Sequence, residues 1–324
     1  MANRFAPNEV DYVEITNLVD DTLDFQSTIE RKEVHRVRKW VKNRMGEEWV
    51  KEKFQLPFAE HGFSMLIKVV SNGSLHNVLF DTGASRDGVV TNAERMGLNL
   101  KEIECIILSH GHYDHFGGLL KVLQAVKKES LPIIVHEDMF RTRGIVNSDG
   151  TVRKYPEFPP ENQVTPAKYI ETKQSLLLAD QGILVTGEIP RNTDFEKGFL
   201  KQRFLSNGKW KPDPWVRDER SIVINVKRKG LVVISGCAHA GIINTIHLAQ
   251  QITEVGEVHA VIGGFHLAGR DCEPRINQTV KMLRKLNPKI VVPMHCTGWR
   301  GKYAILKAMP QAFVWNSVGN LYCL

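Results

Sequence analysis

Two stretches of the chain share one pattern of hydrophobic and polar positions. Residues 64–85, SMLIKVVSNGSLHNVLFDTGAS, place two runs of mainly branched apolar side chains on either side of a short polar turn, and residues 221–241, SIVINVKRKGLVVISGCAHAG, repeat that plan. The Asn-Gly and Lys-Gly pairs between the apolar runs are typical of β-hairpin turns. Each stretch therefore predicts a hairpin followed by a polar loop that contains glycine.

Each predicted hairpin is followed by further apolar strands that end in histidine-bearing loops. These strands read CIILSHGH and PIIVHE in the first half, and AVIGGFH and IVVPMH in the second. The segments HFGGLLKVLQAVKK, INTIHLAQQI and RINQTVKMLRKL between them show the apolar spacing that predicts helices. Strands that alternate with helices indicate an α/β protein, here a sandwich of two sheets covered by helices and built from two related halves.

Two stretches fall outside this plan. Residues 22–60 are mainly charged and helical in pattern, and residues 141–215 are rich in proline, lysine and aromatic side chains. We interpret both as insertions in a single domain that spans residues 1–324. Because long loops are uncommon unless they are functional, we expect the segment 141–215 to form a lid or to gather substrate.

The composition is that of a globular protein able to bury a core, with 42% hydrophobic and 24% charged residues. No apolar run approaches the roughly 18 residues of a spanning helix, and the first residues do not read as a signal peptide. The five cysteines form no CxxC pair, which argues against a disulfide framework. We therefore predict a cytoplasmic protein with no membrane partner.

The chain is basic, with a formal charge of +7, and its basic residues concentrate in residues 30–53 and 197–229. The first of these stretches also contains five glutamates, which favours a solvated helix surface. The alternative is an anionic substrate or partner. No recognisable nucleic-acid motif accompanies the basic residues, so we do not expect a nucleic-acid partner. The oligomeric state stays open, a homo-oligomer included.

The stretch LSHGHYDHFGG, residues 108–118, places three histidines and one aspartate within six positions. His110 and His112 lie two positions apart, so in an extended loop both side chains can face the same pocket. The adjacent Asp114 and His115 cannot easily aim at that same point, which favours two half-sites over one. Imidazole and carboxylate ligands suit Zn²⁺, Mn²⁺ or Fe²⁺. We predict two divalent metal ions, with zinc preferred.

SHGHYDHFGGL resembles the HxHxDH signature of the metallo-β-lactamase-fold hydrolases, and LFDTG matches the strand-end motif that precedes it. The resemblance implies a four-layer αββα sandwich of two halves, which agrees with the repeated pattern. AEHGFSMLIKV, VTGEIPR, GGFHL and PMHCTG further resemble one branch of that family. This branch includes the archaeal 7,8-dihydropterin-6-methyl-4-(β-D-ribofuranosyl)-aminobenzene-5'-phosphate synthases and related metal-dependent hydrolases.

Four ligands cannot complete two metal sites, so the second half must supply others. His239 in SGCAHAG and His295 in VVPMHCTG each follow an apolar strand, and we predict both as ligands. His266 in GGFHLAG is either a third ligand or a catalytic group that faces substrate as a proton donor or oxyanion stabiliser. Asp114 is predicted to take part in catalysis as well as in metal binding.

The chain departs from the family pattern at two places. The histidine expected between residues 136 and 200 is missing, and LVTGEIPR offers Glu188 there. The bridging aspartate is also missing, and SGCAHAG offers Cys237 or His239. The third ligand of the first metal and the bridging ligand therefore stay open. Cys237 is either a thiolate ligand or a buried inert thiol.

Residues outside the metal motif receive weaker assignments. Asp81 in FDTG can orient a ligating histidine through its second ring nitrogen, and it can also close an Asx-turn. We assign no chemistry to Asp218 and Glu219. The predicted substrate-binding residues are Glu188, Arg191 and Arg270.

Three functions agree with these observations. The first is hydrolysis of a small anionic substrate, a phosphoester preferred, by a hydroxide held between two metal ions. The second keeps the metal site but performs transfer, as the synthase resemblance implies. The third is a metal-containing binding or sensor protein without turnover. The fold alone does not select a substrate, because one scaffold hosts many chemistries.

Overall fold

Two large β-sheets form the centre of the computed structural model, which describes residues 7–29 and 31–324. The first sheet contains, in spatial order, β10 (Lys168–Glu171), β7 (Pro132–Val135), β6 (Cys105–Ile107), β5 (Ser74–Phe80), β4 (Ser64–Ser71), β2 (Tyr12–Val19), β19 (Leu321–Cys323) and β3 (Val34–His35). The second contains β11 (Leu176–Leu178), β12 (Ile183–Val185), β15 (Ser221–Val226), β16 (Gly230–Ser235), β17 (Val258–Gly264) and β18 (Ile290–Met294), and β1 (Glu9–Val10) pairs with β15.

Helices and a smaller sheet surround these two sheets. The helices are α1 (Val37–Met45), α2 (Glu47–Glu52), α3 (Gly88–Arg95), α4 (Tyr113–Phe116), α5 (Leu119–Val126), α6 (Glu161–Val164), α7 (Ile242–Thr253), α8 (Ile276–Leu286) and α9 (Gly298–Ala308). The smaller sheet contains β14 (Lys209–Pro212), β13 (Gln202–Ser206), β8 (Arg143–Val146) and β9 (Val152–Lys154). No helix in the described ranges is long and apolar enough to cross a membrane.

Both predicted hairpins are confirmed. β4 pairs with β5 in antiparallel register, and β15 pairs with β16 in the same way. The β4–β5 turn contains Asn72 and Gly73 with φ values of 52° and 79°. Two successive residues of positive φ are typical of the type I′ turn, whose twist matches that of the flanking strands.

The apolar core lies in three separate layers of side chains. One cluster fills the space between the large sheets, where Ile67 and Ile107 of the first sheet meet Ile224 and Ile262 of the second. A second cluster lies between the first sheet and helices α1, α3 and α5. A third lies between the second sheet and helices α7, α8 and α9. The order helix, sheet, sheet, helix confirms the predicted αββα sandwich.

The two stretches outside the repeated plan differ in structure. Residues 22–60 contain α1 and α2, and they also contribute β3 to the first sheet. Residues 141–215 divide between β8, β9, β13 and β14, which form the smaller sheet, and β10, β11 and β12, which belong to the large sheets. Only part of the segment 141–215 therefore lies outside the sandwich. The single-domain interpretation stays a prediction.

The chain leaves several central strands at one edge of the sandwich. β5, β6 and β7 are parallel neighbours, and so are β16, β17 and β18. The carboxyl ends of parallel strands meet at a common edge, where the loops after them share one space. The histidines of the two halves lie in these loops, which explains how residues more than a hundred positions apart form one site.

Candidate metal centre

The HxHxDH stretch changes from loop to helix within its own length. β6 ends at Ile107, and His112 keeps an extended backbone with φ −93° and ψ 144° before α4 begins. His110 and His112 therefore lie on a loop, whereas Asp114 and His115 lie on a helical turn. A Cβ at Gly111 would lie 2.9 Å from the Met139 Cα, so only glycine allows this close approach.

Three imidazoles form the first cluster, which we call cluster one: His110, His112 and His239. His110 Nε2 lies 2.9 Å from His112 Nδ1 and 3.2 Å from His239 Nε2. All three side chains are buried, and His112 Nε2 and His239 Nδ1 have no hydrogen-bond partner. Burial lowers the pKa of His112 to about 3 and holds the pKa values of the other two well below the ordinary range. The three rings are therefore neutral, which is the form that binds metal.

The second cluster, cluster two, centres on the Asp114 carboxylate. Asp114 Oδ2 lies 3.2 Å from His295 Nε2 and 3.8 Å from His115 Nε2. His61 Nε2 lies 3.6 Å from the same oxygen, and its side chain is 64% exposed. Burial opposes ionisation of Asp114, but the imidazoles of His115 and His295 hold its pKa far below the usual value. Cluster two therefore contains one carboxylate among several ring nitrogens.

Cys237 lies between the two clusters. Its Sγ atom is 3.2 Å from His115 Nε2. The same thiol lies within 4.8 Å of ligand atoms of His110 in one group, of His239 and His266 in another, and of His295 in a third. Cys237 is buried, and burial raises the pKa of its thiol well above 9.0. A metal ion is therefore needed to hold this side chain as a thiolate.

These donor sets fit divalent metal ions. In cluster one, ring nitrogens face one another across 2.9 and 3.2 Å, and lone pairs at that distance repel unless a proton or a cation lies between them. The buried, unpartnered nitrogens of His112, His239 and His295 lack the hydrogen bonds that buried polar atoms normally make. Three nitrogens in cluster one, and nitrogens with a carboxylate oxygen in cluster two, are ligands that zinc, manganese and iron accept.

Asp81 holds the start and the end of the HxHxDH stretch through hydrogen bonds. Its carboxylate accepts hydrogen bonds from the Ser109 backbone N–H at 2.6 Å and from the Ser109 hydroxyl at 2.7 Å. Asp81 Oδ2 also lies 2.6 Å from His115 Nδ1, which leaves His115 Nε2 facing Asp114 and Cys237. A carboxylate in this position fixes the ring orientation and the tautomer of a ligating histidine.

Three further carboxylates hold the backbone of loops that carry predicted ligands, and none of the three was predicted from the sequence to have a role. Glu219 accepts from the N–H groups of His239 and Ala240, both at 2.6 Å. Asp218 accepts from the Gly111 N–H at 2.7 Å, and Asp20 accepts from the His295 N–H at 2.7 Å. The available signal was an acidic residue beside an apolar strand, the same signal that singled out Asp81. His61 was also missed as a neighbour of Asp114.

A cleft of about 200 Å³ opens above the two clusters. Its lining consists of His61, His112, Tyr113, Asp114, Arg153, Tyr155, Phe199, Gln202, Cys237, His239, His266 and Cys296. His266 lies at the side of the cleft, with its ring 4.2 Å from that of His239 and its Nδ1 without a partner.

A family model described as the metallo-β-lactamase superfamily matches residues 59–250. The chain belongs to the metallo-β-lactamase superfamily. The matched segment contains both predicted hairpins, the HxHxDH stretch and His239. His266 and His295 lie beyond it, on loops of the same edge.

Two known proteins are similar to this superfamily member over most of its length. The 7,8-dihydropterin-6-methyl-4-(β-D-ribofuranosyl)-aminobenzene-5'-phosphate synthase of Methanocaldococcus jannaschii is 34% identical over 271 residues, which cover 80% of this chain and 89% of the relative. The solved structure of Tm1679, described as a metal-dependent hydrolase of the β-lactamase superfamily, is 25% identical with a TM-score of 0.68. That match covers 96% of this chain and 98% of the other.

A more distant structure shares the fold. The metallo-β-lactamase fold protein YhfI from Bacillus subtilis is 13% identical, with a TM-score of 0.51, and the match covers 97% of this chain and 100% of that one. The αββα architecture of the metallo-β-lactamase superfamily is therefore retained at low sequence identity.

The predicted substrate-binding residues lie elsewhere than in the lining of the metal cleft. Arg191 donates to the backbone carbonyls of Ile189, Trp215 and Val216, so its guanidinium is occupied in holding a loop. Glu188 Oε1 lies 3.3 Å from His136 Nε2, and with Arg191 it lines a separate cleft of about 410 Å³. Arg270 is exposed beyond β17. Neither Glu188 nor Arg191 nor Arg270 therefore lines the metal cleft.

Proposed function

We propose that this protein is a metal-dependent enzyme that hydrolyses a small anionic substrate, with a phosphoester as the preferred class. The observation that carries the proposal is the pair of adjacent ligand clusters at the floor of one cleft, with ring nitrogens that lack protein partners. The similarity to Tm1679, which is described as a metal-dependent hydrolase, supports the same activity. The basic character of the chain agrees with an anionic substrate.

The ligands divide between two metal sites. His110, His112 and His239 would hold one ion, and Asp114, His115 and His295 would hold the other. When bound, two such ions act as Lewis acids, lower the pKa of bound water and stabilise the charge that develops on a substrate oxygen. The division into two sites is supported by two groups of ligand atoms that share no residue, His110, His112 and His239 in one and His61, Asp114 and His295 in the other.

Cys237 takes the place between the two sites in this proposal. Its Sγ atom lies close to ligand atoms of both clusters, so a thiolate there would face both ions. Thiolate and imidazole together favour zinc over manganese or magnesium. Zinc is accordingly the preferred metal, with iron as the nearest alternative.

The side chains of this chain supply positioning and proton transfer. Asp114 faces the cleft with one carboxylate, so it can hold a proton from a nucleophilic water while it remains near cluster two. His266 also lines the cleft, and its ring N–H can donate a proton to a leaving oxygen. Asp81 and Glu219 keep His115 and His239 in place during the reaction.

The second candidate is transfer of a pterin-bearing group to an aminobenzene ring. It is favoured by the synthase of Methanocaldococcus jannaschii, which is 34% identical to this chain and aligns with 80% of it. In that reading the same two clusters assist departure of a leaving group, and the acceptor is an aminobenzene ring instead of water. The cleft then has to hold two substrates side by side.

A single comparison separates these functions. The zinc-loaded protein and His112→Ala are assayed with bis(4-nitrophenyl) phosphate, with a lactone, and with a dihydropterin substrate together with ribofuranosylaminobenzene phosphate. Hydrolysis that disappears with chelator and in His112→Ala supports the first function. Product formation only with the pterin pair supports transfer. Absence of turnover with every substrate and metal contradicts both and favours a binding protein.

A further inference from the structure

The small sheet forms one side of the metal cleft. β9 ends at Lys154, and Arg153 and Tyr155 from this part of the chain line the cleft. Gln202, the first residue of β13, and Phe199, three residues before it, line the same cleft. The Tyr155 ring meets the His112 ring edge to face, with centroids 5.5 Å apart. Its hydroxyl lies 3.4 Å from Gln202 Nε2. The sheet therefore places an aromatic and polar wall directly beside cluster one.

Arg153 is the cationic side chain of that wall. Its guanidinium lies over the Tyr155 ring, 5.4 Å from the centroid. Within residues 7–29 and 31–324, no carboxylate lies within ion-pair distance of Arg153. Two neighbouring cations of the same sheet are paired: Arg143 with Asp218 at 2.7 Å, and Lys154 with Glu157 at 2.6 Å. Arg153 is thus a charged donor at the mouth of the cleft with its hydrogen-bonding capacity free for a ligand.

A buried ion pair fixes the small sheet relative to the histidine loop. Arg143 on β8 makes two hydrogen bonds of 2.7 Å to Asp218, and both side chains are buried. The same carboxylate accepts from the Gly111 N–H between two predicted ligands. β8 pairs with β9, with Ile145 opposite Arg153. The position of Arg153 is therefore set by contacts that also set the position of cluster one.

We propose that Arg153 is a specificity-determining residue that binds an anionic group of the substrate remote from the reacting bond. The flat faces of Tyr155 and Phe199 would contact a planar part of the same molecule, since both rings line the cleft and contact the rings of His112 and His266 respectively. The substrate class is then a planar molecule with a reacting group at one end and a carboxylate or phosphate at the other. This inference rests on the proposed function, because it takes the reacting group to be held at the two clusters.

Binding of two matched probes tests the proposal without any turnover. Phenylphosphonate carries one anionic group, which is expected at the metal ions, and 4-carboxyphenylphosphonate adds a second at the far end of the ring. Calorimetric titration of the zinc-loaded protein should give about tenfold tighter binding of the second probe, because a charge-assisted hydrogen bond to Arg153 is gained. Arg153→Gln should remove that advantage, and Arg153→Lys should retain part of it.

Lys154→Gln is the matched control, because it removes the same charge from the next residue of the same strand, whose side chain points to the other face. It should keep the full advantage of the carboxylated probe. The proposal is overturned if Arg153→Gln keeps the advantage, if Lys154→Gln loses it equally, or if the wild-type protein does not distinguish the probes. Equal zinc content and equal thermal midpoints of the variants confirm that the comparison concerns folded protein.

These outcomes are separable from failure of the proposed hydrolysis. If the protein turns over no ester but still prefers the carboxylated probe through Arg153, the proposed anion site stands. Only the proposed hydrolase activity is then wrong. If the wild-type protein hydrolyses phosphodiesters but Arg153→Gln binds both probes as the wild type does, the proposed hydrolase activity stands. The proposed anion site at Arg153 is then wrong.

Discussion

The Glu219 carboxylate holds the backbone of His239. One oxygen accepts the His239 N–H and the other accepts the Ala240 N–H, each at 2.6 Å. Burial raises the pKa of Glu219 to about 7, although both backbone N–H groups oppose the shift by stabilising the charge. The loop that brings His239 to His110 and His112 therefore depends on Glu219, which bonds the backbone of that loop and not an imidazole ring.

Glu219→Gln is expected to weaken metal binding at cluster one by about tenfold to a hundredfold, because residues that orient a ligand contribute on that scale. The amide can accept only one of the two N–H groups, so the other is left buried without a partner. Zinc affinity measured by competition with a chromophoric chelator checks this. The exposed Glu257 serves as control, and equal affinities of Glu219→Gln and Glu257→Gln would contradict the assignment.

Asp218→Asn is expected to lower the free energy of unfolding by up to about 3–5 kcal/mol, because the buried Arg143 guanidinium loses both ionic hydrogen bonds and keeps as an ionic partner only the Asp213 carboxylate, 3.4 Å from its Nε. Asp218 keeps its charge in the folded protein: burial opposes ionisation, but Arg143 and the Gly111 N–H hold its pKa well below the usual value. Urea unfolding of the metal-free variants measures the effect. Glu137→Gln, which breaks an exposed pair with Lys173 at 2.7 Å, should cost at most about 1 kcal/mol. Similar losses for both variants would refute the difference between buried and exposed pairs.

Cys237→Ser is expected to change the electronic spectrum of the cobalt-substituted protein. If the thiolate faces both metal ions, the wild-type protein should show a sulfur-to-cobalt charge-transfer band in the near ultraviolet, and the variant should lose it. Cys323→Ser is the control, because Cys323 lies on β19, which is separated from β6 by three strands of the first sheet. An unchanged band in Cys237→Ser would leave Cys237 as a buried inert thiol.

The stability of the protein should depend on pH through His76. This ring lies 2.8 Å from Glu104 and 3.1 Å from Asp180. Burial lowers its pKa, but hydrogen bonds with the two carboxylates outweigh that effect and raise it above 6.5. A raised folded pKa means that the stabilisation is complete below the unfolded pKa and is lost as pH rises through the folded pKa.

His76→Gln should therefore destabilise the protein more at pH 5.5 than at pH 8.5. Chemical unfolding at both pH values measures the difference in the free energy of unfolding between wild type and variant. A difference that is constant with pH, or larger at high pH, would show that the carboxylates do not stabilise the protonated ring.

The fold and the histidines that come together at one edge could be predicted from the sequence, because both signals are local. The pattern that predicts a hairpin lies in neighbouring residues. His110, His112, Asp114 and His115 likewise lie within six positions of one another. His239 and His295 carry the same local signal, a histidine just after an apolar strand. To predict these features, it was enough to locate the strand ends and to know which side chains bind metal.

The supporting carboxylates could not be predicted in the same way, because their partners are distant in sequence. Asp20 holds His295 across 275 residues, and Asp218 holds Gly111 across 107. Such contacts exist only after the two halves have packed together. For the same reason, the exposed residues of β10 gave no sign that this strand joins the first sheet.

The most direct test of the central claim, that two half-sites hold two metal ions, is the zinc content of purified protein after reconstitution and desalting, measured by inductively coupled plasma mass spectrometry. The wild-type chain should hold about two zinc ions. His112→Ala and His295→Ala should each hold about one, because each removes a ligand from a different cluster, and His247→Ala should hold as much as the wild type. A wild-type protein that binds no zinc, or two variants that both keep the full content, would contradict the account.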